Sequence, residues 1–187
     1  MLRKFGRLTD RVVRQGPINL IVNGNFVDVS GWTPAGSTLQ VADNKALITG
    51  GGGTRYPQIY QPIPGSTGNK IYVRSKLKVT NSVAQAISIA CQGAAVVFQA
   101  NPAQDAIYSL SGIRIMTGVS AETFSVFATY PDTATASGKI LEVQEVFALN
   151  LTTIFGAGNE PTVAQCNQLS PGWFDGVRPS SLSKFLG

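Results

Sequence analysis

Three groups of residues have types and spacing that could do chemistry. The first is IFGAGNEPT (154–162), where Gly156 and Gly158 lie two apart. Closely spaced glycines let a backbone close around a phosphate, but a Walker-type loop then needs Lys and Ser/Thr after its last glycine. A dinucleotide fingerprint needs a third glycine opening a long helix. Here Asn159, Glu160 and Pro161 follow, and the Glu160 carboxylate would repel phosphate. The glycines are expected to supply positive φ in a strand-to-helix connection.

The second group is the carboxylates. Glu142 and Glu145 are three apart on one predicted strand, so alternation sends them to opposite faces. They cannot flank one bond unless a bulge intervenes. Glu145 shares parity with Leu141, Val143, Phe147 and Leu149, so it must be turned out by a bulge at Gln144-Glu145, be paired, or hold a metal; bulge or pairing is favoured. Asp105, Asp132 and Asp175 fall in loops. The chain has no histidine, which removes the commonest general base and metal ligand. No catalytic residue is assigned, and the expectation is a protein that is not an enzyme.

The third group is aromatic. Tyr56, Gln58 and Tyr60 share one face by parity, and Tyr72 and Arg74 share a basic face of a later strand. An aromatic platform with amide and basic groups could stack on sugar rings, so these five form the candidate glycan site. The commoner use of such residues is to fill a core or an interface. Trp32, after Ser30-Gly31, is read as a core plug.

The elements that must carry these residues are β-strands. The chain has 187 residues, only 13% charged, 43% hydrophobic, with 20 glycines. That suits a sandwich of short strands better than a helical bundle. Strands are expected at 19–22, 38–49, 56–62, 70–80, 84–91, 95–99, 107–110, 113–117, 123–130 and 139–151. After them Asn159 is expected to cap a short helix with Pro161 in its first turn, ending near Leu169. Cys91 and Cys166 form no CxxC pattern and are read as a core residue on a strand and a residue on that helix.

Charge is concentrated at the start. Arg3, Lys4, Arg7, Arg11 and Arg14 face one acid, Asp10, while the remaining ten basic and nine acidic residues nearly cancel. Leu2, Phe5, Leu8 and Val12 at helical spacing give residues 1–17 the pattern of a basic amphipathic arm. With Phe5 and the five basic residues, it is assigned as an anchor that packs on a partner. Asp10 interrupts the basic face and the apolar stripe is thin, which disfavours a membrane surface. A nucleic-acid site would spread basic charge over a folded face, so nucleic acid is not the expected partner. MLRKFGRLTDRVVRQGP lacks the apolar core of a signal peptide.

NLIVNGNFVDVSGWTP, followed by TLQVADNKALIT and YPQIYQPIPG, resembles the opening of carbohydrate-binding-module jelly rolls of the galactose-binding-like class. LEVQEVFALNLTTIFGAGNEPT, with WFDG after it, resembles a segment recurring in bacteriophage virion proteins, especially tail-fibre and baseplate-associated ones. Together these cover about residues 18–176. The resemblance implies an all-β, two-sheet antiparallel jelly-roll sandwich at 18–153, after the arm at 1–17 and before a turn, short helix and tail at 154–187. It implies a phage structural accessory protein, made in the host cytoplasm and displayed on the virion as a capsid decoration or tail-attached protein. Its partners would be other virion proteins, copies of itself and host-surface carbohydrate. The alternative is a carbohydrate-binding adsorption module of a tail fibre or baseplate, with a glycan-cleaving enzyme less favoured. In sugar-binding members a structural calcium often joins the first strand to an acidic residue on the last. The matching positions are Asn25 and Glu145, although Gln144-Glu145 stands where an aspartate pair is usual. No other cofactor is expected.

Overall fold

In the computed structural model, residues 19–80 and 83–169 are described. The arm at 1–17, WFDG and the last apolar pair, Phe185-Leu186, lie outside them. Alternation of apolar and polar residues builds two antiparallel sheets whose apolar faces meet. One sheet runs β1 (Thr33–Ala35), β4 (Gln58–Pro64), β9 (Ala121–Thr129), β6 (Ala86–Cys91), β7 (Ala94–Ala100). The other runs β2 (Ser37–Ala42), β3 (Lys45–Gly50), β10 (Ile140–Asn150), β5 (Lys70–Thr80), β8 (Ile107–Ile115). This is the expected jelly-roll sandwich. Ile59, Ile63, Ile71, Val73, Leu77, Ile87, Phe124 and Val126 fill its middle.

Two expected runs are divided differently in the structure, and β1 adds a strand where none was expected. The run 38–49 is a hairpin, because Asp43 and Asn44 both take positive φ (51° and 56°). Asn and Asp tolerate that conformation, and a two-residue turn of this kind matches strand twist. The segments 107–110 and 113–117 instead join into β8. Gly112 keeps that strand extended where Val96 packs over it, 3.0 Å from where a Cβ would stand. A short helix, α1 (Thr133–Ala136), capped by Asp132, was not anticipated.

The expected strand at 19–22 is not one, since Asn19 makes the ladder bonds with its side chain. β3 pairs with β10 only from Ile140 to Val143. Beyond that, Asn19 Nδ2 donates to Val146 O (3.2 Å), Asn19 Oδ1 accepts from Ala148 N (2.9 Å), and Leu20 N donates to Ala148 O (2.8 Å). Gly24 O accepts from Val146 N at 2.9 Å, an approach so close that a Cβ on Gly24 would lie 2.0 Å from Val146 O. Phe26 and Trp32 then stack, with ring centroids 5.4 Å apart, and Trp32 meets Phe124 edge-on in the core. Trp32 is the expected plug.

β10 bulges between Gln144 and Phe147, with Glu145 at φ 52°. The bulge reverses the parity read from the sequence. Leu141 and Val143 face the main core before it, and Val146 and Ala148 do so after it. Phe147 and Leu149, expected on the Leu141 face, join a second cluster on the outside of the sheet. Glu145 turns out to meet Lys76 Nζ at 2.6 Å.

Among the described residues, one ion pair bridges the two sheets. Arg114 of β8 donates through Nε to Glu122 of β9 at 2.9 Å. Glu122 also accepts from Thr117 N, Thr117 Oγ1 and Gly118 N, so one buried carboxylate fastens the loop by which the chain changes sheets. Burial pushes this carboxyl up, but the hydrogen bonds from Arg114, Thr117 and Gly118 outweigh it and hold it at about 2. Burial, with the Glu122 charge adding to it, pushes the neighbouring Cys91 thiol up to about 12.

Gly24→Ala is expected to lower stability by about 3 kcal/mol, read by denaturant unfolding, because Val146 cannot retreat without breaking its ladder. Glu122 is held below the ordinary carboxylate range, so its stabilisation is present above that range and lost as pH falls towards about 2. Glu122→Gln should cost about 3 kcal/mol at neutral pH and flatten the acid limb of the stability profile. An acid limb as steep in the variant as in the wild type would remove Glu122 as its source.

Candidate functional site

The outward face of the β1-β4-β9-β6-β7 sheet carries a strip of aromatic residues over small ones. Inward positions on β4 are Ile59, Gln61 and Ile63, all buried, which leaves Gln58 and Tyr60 facing out. Cross-strand register places Gln58 opposite Phe127, Phe127 opposite Ser88, and Ser88 opposite Phe98. The next row runs Tyr60, Ser125, Ala90, Ala95. Four strands at the usual spacing make a row about 14 Å long. Tyr56 stands just before β4 and meets Phe127 edge-on, with centroids 6.4 Å apart. Phe98, on the edge strand β7, is 60% exposed. Ser88, Ala90 and Ser125 sit low among these taller neighbours and are buried, although they belong to the outer face.

The polar groups of this strip are uncommitted. Among the described residues, the side chains of Gln58, Tyr60, Ser88 and Ser125 have no hydrogen-bond partner. The strip therefore offers ring faces together with an amide and hydroxyls ready to donate and accept. None of the outward positions on these five strands is Asp or Glu.

Of the five residues expected to form one platform, Tyr56, Gln58 and Tyr60 come together here. Tyr72 and Arg74 do not, because β5 belongs to the other sheet. Tyr72 is fully buried, edge-on to Phe147 at 6.1 Å, and its hydroxyl pairs with Asn167 at 2.6 Å. It lies in the cluster formed by α2 (Leu151–Phe155) and α3 (Val163–Leu169) on that sheet's outer surface. The rest of that surface is ion-paired: Lys78 and Lys45 with Glu142 at 2.6 and 3.9 Å, and Lys76 with Glu145.

Phe98 and Phe127 were missed by the sequence reading. In FSVFATY the parity that buries Phe124, Val126 and Ala128 does put Phe127 outside, so half the signal was present. Nothing local shows that β6 brings β7 and β9 to either side of Ser88.

The glycine pair behaves as expected: Gly156 and Gly158 take φ of 85° and 83°. The loop does close on an anion, and that anion is its own Glu160. The Glu160 carboxylate accepts from Gly158 N (2.8 Å), Thr152 Oγ1 (2.9 Å) and Lys70 Nζ (3.2 Å). A hydrogen bond from its own backbone N–H leads the causes that hold this carboxyl at about 2, with Thr152, Lys70 and Gly158 adding to it against desolvation. Asn159 does not cap the following helix. Thr162 does, exchanging hydrogen bonds with Gln165: Thr162 N to Gln165 Oε1 at 2.9 Å and Gln165 N to Thr162 Oγ1 at 3.3 Å.

Asn25 and Glu145 flank the backbone contact between Gly24 and Val146. Together they supply one carboxylate, already paired with Lys76, whereas calcium takes six to eight oxygens. Among the described residues no group of three His, Cys, Asp or Glu converges. These two side chains alone do not fit the ion. Cys91 and Cys166 are free and buried, Cys91 on β6 and Cys166 on α3.

No protein-family model matches the chain, and no curated protein matches it. Solved structures do share its fold. A family 4 carbohydrate-binding module superposes with a TM-score of 0.51 at 16% identity, over 70% of this chain and 99% of that one. The tailspike protein 4 enzymatically active domain of bacteriophage CBA120 gives 0.50 at 16% identity, over 71% of this chain. An arabinose-bound α-L-arabinofuranosidase gives 0.54 at 12% identity, over 81% of this chain. The match spans only 29% of the arabinofuranosidase and 21% of the tailspike domain. The fold of this chain is thus a jelly roll of the carbohydrate-binding-module kind, which also occurs within a phage tailspike.

Proposed function

We propose that this protein is a glycan-binding accessory protein of a phage particle, docked by its basic N-terminal arm and presenting the strip on β4, β9, β6 and β7 to host-surface carbohydrate. The observation that carries the binding role is the strip itself: Tyr60, Phe127 and Phe98 beside uncommitted Gln58, Ser88 and Ser125. Weakly positive C–H bonds on one face of a sugar ring meet the negative face of an aromatic ring, while hydroxyls at the ring edge find the amide and serines. The shortage of carboxylates on this face supports binding without cleavage, since glycoside hydrolysis needs two of them across the scissile bond. The particle role rests on the closing segment's resemblance and on the concentration of charge at 1–17.

The purified protein is expected to be retarded in gels containing a suitable neutral or acidic polysaccharide, without releasing reducing ends from it. Tyr60→Ala and Phe98→Ala should each weaken retention about tenfold at an unchanged melting temperature. Retention that survives both substitutions would move the site elsewhere. Removal of residues 1–16 should leave a folded body that no longer joins particles; a truncated body that still assembles would refute the docking role of the arm.

A further inference from the structure

Arg55 adds a charge to one end of the strip. Its guanidinium lies over the Tyr56 ring, 4.8 Å from the centroid, and its Nε donates to Tyr56 Oη. Tyr56 is itself braced edge-on by Phe127. The backbone beneath is fixed to β9 although it is not a strand: Tyr130 N donates to Arg55 O at 3.0 Å, and Ala128 N to Pro57 O at 3.3 Å. Thr54 Oγ1 accepts from Tyr56 N at 3.1 Å and closes the turn. The guanidinium is exposed, and among the described residues no carboxylate pairs with it, although Lys45, Lys70, Lys76, Lys78 and Arg114 all have one. Stacking and the Nε bond use one ring face and one donor. The two Nη groups keep the planar fork that takes a carboxylate through two parallel hydrogen bonds. Holding a long cationic side chain still in advance reduces the entropy that binding would otherwise cost.

We infer that the strip is selective for acidic saccharides, with Arg55 pairing the carboxylate of a uronic-acid unit while neighbouring units lie across Tyr60 and Phe127. This rests on the glycan-binding reading above. Tyr56 then acts as a positioning residue, because Arg55 already covers one face of its ring. The residues on the strip beyond Arg55 leave a carboxylate nothing to be repelled by.

The test compares polygalacturonate with its fully methyl-esterified form, which keeps the backbone and masks the charge, in affinity gels and by titration calorimetry on the full chain. Wild-type protein should bind the acid form at least tenfold more tightly, a preference that shrinks as salt is raised. Arg55→Ala should abolish the preference at an unchanged melting temperature. Arg55→Lys should restore only part of it, because an ammonium lacks the fork, and Tyr56→Phe should reduce it by releasing Nε. Tyr60→Ala should weaken both forms alike. Equal affinity for the two forms, or a preference that survives Arg55→Ala, overturns the inference and leaves the glycan reading standing. So does binding of neutral polysaccharides alone. Failure to bind any polysaccharide sinks both.

Discussion

The bulge in β10 is the constraint on which the rest of this sandwich depends. One residue, Glu145 at φ 52°, shifts the strand's register against β5 and exchanges which side chains point inward. Upstream, Leu141 and Val143 fill the main core; downstream Val146 and Ala148 do so, and Phe147 and Leu149 are sent outside. A strand that kept its alternation would have buried Glu145 and exposed Val146 in its place. Pairing with β3 stops at Val143, where β3 runs into its hairpin turn, and leaves one backbone edge of β10 open beside the bulge. The opening segment answers that edge with Asn19 and Gly24, so the first and last parts of the sandwich are sewn together at the irregularity.

The two outer surfaces consequently do different work. On the β2-β3-β10-β5-β8 sheet, Phe147 and Leu149, sent outside by the bulge, need a cover together with Tyr72 of β5. α2 and α3 supply it through Leu151, Ile154, Phe155, Val163 and Cys166. The GAGNEPT loop holds that cover in place by folding round Glu160, which reaches Lys70 at the start of β5. What remains of this surface is neutralised by lysine–glutamate pairs. The opposite sheet has neither a cover among the described residues nor an ion lattice. Tyr56 and Phe127 meet edge-on, the Gln58 amide and the Tyr60, Ser88 and Ser125 hydroxyls are uncommitted, and the stacked Arg55 guanidinium has no carboxylate partner among the described residues. The contrast in chemistry between two faces of one sandwich is what supports the second as the surface in the proposed binding role.

Much of this was legible locally. Alternation in IYVRSKLKVT placed Ile71, Val73, Leu77 and Val79 in the core, and FSVFATY did the same for Phe124, Val126, Ala128 and Tyr130. Those patterns are legible because a half-buried strand must repeat every two residues whatever it pairs with. The bulge was anticipated from the cost of burying Glu145, but its effect on Phe147 and Leu149 was not, since parity beyond a bulge depends on where it sits. Tyr72 misled for a related reason: a position facing away from the core reads as exposed until another segment is known to lie over it.

The sequence by itself determined the all-β sandwich, the turns at its glycines, the core position of Trp32 and the outward placing of Tyr56, Gln58 and Tyr60. These follow from short-range alternation, backbone sterics and the cost of burying charge. Only the tertiary structure decided that β5 lies in the other sheet, which removes Tyr72 and Arg74 from the strip, and that β6 sets Phe127 and Phe98 on either side of Ser88. It alone decided that Arg55 stacks on Tyr56 with no carboxylate partner among the described residues. Which strands become neighbours is fixed by long-range packing of the whole core, and no local pattern of residues encodes it.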